Sequence, residues 1–485
     1  MQSLEFYHNL YNELVSLKGL TNLDLLKKSS ELGRQLKLSG FQQESDYCFN
    51  ILLGLLQKVI KEGKVHLALV IEGLIYGSFV KTTETEDHYF KCFNMWSGAL
   101  QDLGRKHTRD LHGGRDPRKI CFVMQNAVLL GHTEVMLTIV DAWRKMGLEA
   151  DIYLAGLGGL DPPFKTILDA RKITYIPLAG PNNAPLPLDQ SVALLQDRLE
   201  QLNIQTAVWL SIATIASFAL AARLAPRQVF WSVKFHPVFL PEVDVHLCGG
   251  HEAETERVYH GKTWTVSPFP LTLSHKENSP SDVQNIRAAF PKDAILLGSL
   301  AREEKLNSPG FLMAVGGLLA RNPQAHFLWT GRSQPEVVLT TFKNFGVADR
   351  CHFIGWVDSN LYAEVLDIFL ETFPFGCGIT GFQAMSHGTP FLSMEGMDTL
   401  YGYQLHGGVM QRTHGRPMTR ADYEALEILT AADQAHYMEL AQKLIDDPAY
   451  RKAIGAREKA YVQSERDAVP RYAQRMWTNI TTLSE

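Results

Sequence analysis

Cysteine is sparse in this 485-residue sequence, and none of its six cysteines belongs to a C-x-x-C pair. Cys48, Cys92, Cys121, Cys248, Cys351 and Cys377 lie mostly in apolar, strand-like runs. That pattern argues against a disulfide framework or a zinc site and leaves buried free thiols of a reducing compartment as the expectation. Long apolar runs are also missing. The nearest, TAVWLSIATIASFALAA at 206–222, is short for a bilayer span and reads as a buried strand followed by a helix. The leading MQSLEFYHNLYNEL lacks the apolar stretch of a signal peptide, so a cytoplasmic protein without a transmembrane segment is expected. Neither sign of charge dominates. Lys and Arg number 47 against 52 Asp and Glu, a net charge of −5, which gives no electrostatic reason to expect a nucleic-acid partner. A phosphorylated ligand would have to be met by local charge. No repeat of fixed period is present, which argues against a helical-repeat array.

What the chain does contain is the composition of a soluble globular protein, 45% hydrophobic and 20% charged, at a length too great for one core. Its grammar changes twice. Residues 1–112 read as an all-helical domain, with apolar residues at helical spacing in LEFYHNLYNELVSL, ESDYCFNILLGLLQKVIKEG and HLALVIEGLIYGSFV. This domain offers a surface for an oligomer or for a polypeptide partner, and its composition does not separate the two. The polar, glycine-rich LHGGRDPRK marks the boundary. From Ile120 strands alternate with helices: ICFVMQ, ADIYLAG, ITYIPL and TAVWLS are the strands of a right-handed parallel layer over 113–275. After the polar stretch LTLSHKENSPSDVQNIRAAFPKD, a second α/β series occupies 285–485, with strands at AILLGSL, HFLWTGR, CHFIGW, DIFLETF and PFLSM and helices from about Ala431 to the end.

The segment 351–394 is the most informative. A short apolar strand, Ile368 to Leu370, runs into Pro-Phe-Gly-Cys-Gly-Ile-Thr-Gly, where a helix opens. His-Gly-Thr-Pro-Phe-Leu then stops that helix and starts the next strand. Glycines allow close backbone approach, and a helix start directs free N–H groups and partial positive charge at an anion. In an open α/β sheet the ligand edge lies outside the carboxyl ends of the strands. The turn therefore reads as a seat for the diphosphate of a nucleotide-linked donor, with Gly378, Thr380 and Gly381 as its residues. An N-capping threonine in a tight connection is the plainer reading of Thr380. Arg302 and Lys305 follow a strand ending in Gly-Ser and could neutralise phosphate charge, although the run Arg302-Glu303-Glu304-Lys305 is locally balanced. Gly331 and Arg332 end another strand on the same edge.

This pattern resembles the donor-binding half of GT-B glycosyltransferases, and most closely the O-GlcNAc transferase family with the related bacterial cytoplasmic protein N-glycosyltransferases. In that family a Gly-x-Thr-Thr-Gly turn precedes a helix carrying Gly-x-Pro, and an upstream lysine reaches the phosphate. Here Gly378-Ile379-Thr380-Gly381 is followed by Gly388-Thr389-Pro390, and Lys305 is the matching lysine. Ile379 stands where the family has its first threonine, and Gln383 where it often has a carboxylate. The likeness runs from about Ala294 to Trp477, weakens over 120–270 and is absent before that. It implies an α/β fold of GT-B type: two facing Rossmann-like lobes preceded by the helical domain, with a terminal helix that crosses back to the first lobe. It also implies that Trp356 and Val357 lie near the nucleobase and that Asp398 and Thr399 lie near ribose or phosphate, where a turn or cap role is an equal reading. Gly131-His132-Thr133 falls where the family places an active-site histidine. His132 is thus the main proton-accepting candidate, and His236 a second; a histidine that merely bonds its own loop is the plainer reading.

The activity implied is transfer of a sugar from a UDP-linked donor, GlcNAc or a hexose, to an acceptor such as a protein side chain. No D-x-D pair occurs anywhere, so no metal and no cofactor beyond the nucleotide-sugar co-substrate is expected. The E-x7-E pair of many retaining GT-B enzymes is missing too, with Gln383 and Phe375 at those positions, which leans towards inversion. Three readings stay open on the residues: a retaining transferase acting on a lipid or polysaccharide, a nucleotide-sugar 2-epimerase, and a non-catalytic nucleotide-binding scaffold.

Overall fold

The computed structural model describes residues 23–38, 41–80, 86–109, 111, 115–180, 184–210, 214–233, 239–268, 277–332, 336–373, 376–395 and 418–482. The leading segment is helical throughout its described residues, with helices Leu23–Leu38, Gln42–Lys61, Val65–Ile75, Glu86–Asn94 and Ser97–Arg105 and a single π-helical turn, Tyr76–Val80. Helix Gln42–Lys61 illustrates the cause. Leu52, Leu56 and Val59 recur on one face and are buried, while Glu44 in the first turn and Lys58 and Lys61 in the last complement the helix dipole.

Two sheets follow. The first contains β1 (Asp116–Met124), β2 (Asp151–Gly156), β3 (Thr174–Ile176), β4 (Ile204–Leu210), β5 (Arg227–Trp231), β6 (Val245–Cys248), β7 (Glu256–Tyr259) and β8 (Lys262–Val266), in the order β3-β2-β1-β4-β5-β6-β8-β7. All its pairings are parallel except the β7–β8 hairpin. The second contains β9 (Ile295–Ser299), β10 (Ala325–Trp329), β11 (Cys351–Phe353), β12 (Ile368–Leu370), β13 (Phe391–Met394) and β14 (Thr430–Ala431), in the order β11-β10-β9-β12-β13-β14 and parallel throughout. The strand order reverses between β1 and β4 in one sheet and between β9 and β12 in the other. These switch points are where open α/β sheets leave a crevice. The apolar run at 206–222 divides, as expected, into β4 and the buried helix Ala216–Ala221.

Alternation along β1 ties the parts together. Cys121 and Val123 point into a core shared with Trp96, Leu100 and other residues of the helical segment. Ile120, Phe122 and Met124 point into a second core that also holds Leu296, Phe382 and Met476 from later in the chain. The helical segment is thus packed on one face of the first sheet, each fully buried Leu or Trp contributing roughly 1.5–3 kcal/mol. It is also tied by a polar link. Glu72, fully buried, accepts hydrogen bonds from Trp96 Nε1 (3.1 Å) and from the Ile215 amide (2.8 Å), at the start of the helix that follows β4. Burial raises the Glu72 carboxyl to about 7 against the pull of these two donors. Ile215 holds φ at 66°, a conformation costly for a β-branched residue, and the link fixes it there.

The terminal helix, Pro448–Thr481, joins the lobes. In its first half Glu458 accepts from the amides of Phe391 (2.7 Å) and Leu429 (2.9 Å), beside β13 and β14. Gly455 passes so close to the Gly388 carbonyl that a Cβ would stand 2.0 Å from it. Pro470 then removes one helical hydrogen bond. Beyond it the helix belongs to the first lobe: Arg471 pairs with Glu252 (2.6 Å), Trp143 Nε1 donates to the Ala473 carbonyl (2.7 Å), and Arg227 Nε donates to that of Ile480 (2.7 Å). The crossing implied by the family resemblance is present. No helix among the described residues is long and apolar enough to cross a membrane.

Candidate active site

A cleft of about 290 Å³ opens at the carboxyl ends of four strands of the second sheet. Leu300, Ala301, Arg302 and Lys305 line it after β9, Thr330 after β10, Trp356, Val357 and Ser359 after β11, and Cys377, Gly378, Ile379 and Thr380 after β12. The rim is braced by its own backbone. Ser299 Oγ donates to the Leu370 carbonyl (2.6 Å), fixing β9 against β12 at the switch point, and Thr330 Oγ1 donates to that of Ala301 (2.8 Å).

The glycine-rich turn forms one wall of the cleft. Helix Ile379–His387 starts without a side-chain cap, and Gly388 ends it at φ 83°, a left-handed position suited to glycine. Gly378, Ile379 and Thr380 line the cleft, so the helix start and its dipole open onto it. The Thr380 hydroxyl is buried beside the Cys377 thiol, to which it can donate. Lys305 Nζ donates to the Gly376 carbonyl of the same turn. Arg302 stands on the same wall. Burial raises the Tyr76 and Tyr89 phenols of the helical segment while the Arg302 charge acts on both in the opposite sense, so this guanidinium lies within electrostatic reach of that segment.

Of the residues singled out in the sequence, Arg302, Lys305, Trp356, Val357, Gly378 and Thr380 come together in this cleft. Gly381 lies one step behind it, buried, its amide donating to the Gly378 carbonyl (3.1 Å). Gln383 is likewise outside the lining, but its Oε1 accepts from Ser359 Oγ (2.8 Å), so it holds a lining hydroxyl in place. The Gly331 amide donates to the Gly355 carbonyl (3.3 Å), and Arg332 lies over the Trp356 ring at 5.4 Å. Asp398, Thr399 and His236 lie outside the described residues. Ser359, Cys377 and Thr330 line the cleft without having been expected there. Ser359 carried a weak signal, since Asp358 accepts from the Asn360 amide (3.0 Å) and caps the helix that Ser359 opens.

His132 occupies the other side. It is the second residue of helix Gly131–Lys145, which follows β1 at the first lobe's switch point. The two helix starts meet: a Cβ on Gly131 would stand 2.3 Å from Ile379 Cδ1. Desolvation lowers the His132 imidazole to about 4, so it is neutral at pH 7 and, in this desolvated state, a weak base. Thr133 braces this loop, its hydroxyl accepting from the Leu130 amide (2.8 Å).

No family model matches the chain, and comparison with curated proteins gives no match. Solved structures do match. An O-GlcNAc transferase of Thermobaculum terrenum superposes with a TM-score of 0.55 at 12% identity, covering 98% of this chain and 97% of that one. A glycosyltransferase from Rickettsia africae gives 0.53 at 11% identity, with 76% of this chain and 100% of that chain covered. The Anabaena protein HepE, solved in complex with UDP and glucose, gives 0.51 at 16% identity, again with 76% and 100% covered. At such identities the likeness establishes the architecture: the chain has the GT-B fold, two facing Rossmann-like lobes behind a helical segment.

Proposed function

We propose that this protein is a glycosyltransferase that takes its sugar from a UDP-linked donor, GlcNAc or a hexose, and inverts the anomeric centre. One observation carries the reading. Lys305, Arg302, the helix start at Gly378 to Thr380 and the exposed Trp356 ring converge on a single cleft at a topological switch point. A cation pair and a helix start suit a diphosphate, and an exposed indole suits a base.

In the reaction, an acceptor nucleophile entering from the first lobe attacks the anomeric carbon. Its new bond to that carbon forms as the bond to the phosphate oxygen breaks, and the electron pair leaves on UDP. Lys305 and the first amides of helix Ile379–His387 offset the charge that grows on the leaving diphosphate. The acceptor's proton passes to a base, for which the neutral, first-lobe His132 is the candidate. The helical segment shares a core with the acceptor lobe, and Leu129 and Leu130 are exposed just before Gly131. Both features suit a polypeptide acceptor.

The test is UDP release from UDP-GlcNAc and UDP-glucose in the presence of candidate protein acceptors, with the glycosylated product identified by mass spectrometry. Lys305→Ala is expected to lower turnover by about 10²-fold or more. Unchanged turnover in that variant, or interconversion of the nucleotide sugar with no acceptor present, contradicts the proposal.

A further inference from the structure

Glu371 directly follows β12 and is fully buried. Its backbone is fixed from two sides, the amide donating to the Leu392 carbonyl (3.0 Å) and the carbonyl accepting from Tyr437 Oη (3.0 Å). The carboxyl group is set against the turn that follows. Oε1 lies 3.7 Å from Cys377 Sγ, and Oε2 lies 2.6 Å from Ser393 Oγ on β13. Cys377 lines the cleft, and the neighbouring Gly376 carbonyl is the one that accepts from Lys305. The turn through residues 376–378 is therefore gripped by an ammonium on its cleft side and by a carboxyl group on its core side.

We propose that Glu371 is a positioning residue of the diphosphate seat and holds a proton whenever a nucleoside diphosphate occupies that seat, so that binding takes up a proton from solvent at mildly alkaline pH. The proposal deepens the nucleotide-sugar reading and rests on it. The titratable groups facing Glu371 are Lys305 from the short helix Glu303–Leu306, Cys377 from the turn and Tyr437 from helix Gln434–Asp446; Ser393 adds a neutral hydroxyl. Burial drives the Cys377 thiol and the Tyr437 phenol far up, so among the described residues Lys305 is the charged neighbour at neutral pH. Burial also raises the Glu371 carboxyl to about 8, opposed by the Ser393 hydrogen bond and the Lys305 charge. A diphosphate draws on that same lysine and brings negative charge to the same turn. An ionised Glu371 then loses its cationic support and gains a repelling neighbour, so the protonated form is selected. The proton taken up resides on the Glu371 carboxyl group, whose Oε2 accepts from Ser393 Oγ, and no bond of the ligand changes.

Linkage sets the size of the effect. If only the protonated form binds, affinity falls about tenfold per pH unit above the carboxyl's titration. The test is calorimetric titration of the full chain with UDP between pH 7 and 9, in two buffers of different ionisation heat. Wild type is expected to take up most of a proton on binding near pH 8.5, and to bind about fivefold more weakly at pH 9 than at pH 8. Glu371→Gln keeps the shape and neutrality of the protonated group, so its affinity should be flat over this range with no net uptake. Thermal melting checks that the variant is folded, and the buffer pair on wild type gives an answer without it. UDP binding with no proton uptake in wild type, or an equal pH slope in wild type and Glu371→Gln, overturns the proposal. UDP binding at no pH overturns the nucleotide-sugar reading itself and this proposal with it.

Discussion

Trp356 leaves 66% of its surface exposed at the rim of the cleft, with Arg332 over one face of its ring. If the cleft holds a nucleotide as proposed, the exposed ring would stack on the base, an interaction worth about 1–3 kcal/mol. Trp356→Ala should therefore weaken UDP binding by roughly tenfold while leaving inorganic pyrophosphate binding unchanged, and Trp356→Phe should lose less. Equal UDP affinities for Trp356→Ala and wild type would remove the base-stacking role. At this scale the sequence is readable where chemistry and local geometry coincide. Gly378 and Thr380 stood out as cleft residues because a glycine-rich turn joins an apolar strand to a helix start, and Lys305 because the family resemblance carries a lysine at its position. Glu371 could not, because its partner Ser393 lies on another strand and a single acid ending an apolar run reads as a strand terminus. Ser359 was obscured in the same way, since what it touches is Gln383 on a different helix.

Between elements, the informative contact is Gly131 against Ile379, where the opening helices of the two lobes meet across the cleft. A methyl group at Gly131 would press on Ile379 Cδ1, the movable end of a side chain, so Gly131→Ala should fold normally. It should push the lobes, or the Ile379 turn, out of register. Displacements near 1 Å can cost about 10²-fold in rate, so a drop in kcat with little change in the melting temperature is expected. Adding Ile379→Ala should restore much of that loss. A double variant no better than Gly131→Ala alone would show that this contact does not set the geometry. The strands β9, β10, β12 and β13 of the second lobe were legible because each is a short, mostly buried apolar run. The β7–β8 hairpin was not, since TERVYHGKTWT is largely polar and alternates, with the exposed Val258 among its residues. β14 was missed because two residues carry no period.

For the whole molecule, amphipathic helices announce that they pack but not against what. Only the structure places the helical segment on the first sheet, with Glu72 bonded to the strained Ile215 at the start of the helix after β4. The same compactness sets a pH dependence. His246 Nε2 accepts from the Leu240 amide (3.1 Å), its ring stacks on Phe239, and burial lowers it to about 3. An exposed imidazole titrates near 6.5, so below that pH the unfolded chain takes up a proton that the native state refuses. The stability His246 contributes is present in full above about pH 6.5 and is lost as pH falls towards 3. Urea unfolding should therefore find wild type more stable than His246→Gln at pH 7, with the gap narrowing as pH falls from 6.5 to 4; a constant gap would refute the assignment. The central claim is that the cleft at the ends of β9 to β12 seats a nucleoside diphosphate. Calorimetric titration with UDP, on wild type and on Lys305→Ala, tests it most directly. The account predicts saturable one-site binding that the substitution weakens severely, whereas failure of wild type to bind UDP, or equal affinity in the two proteins, would contradict it.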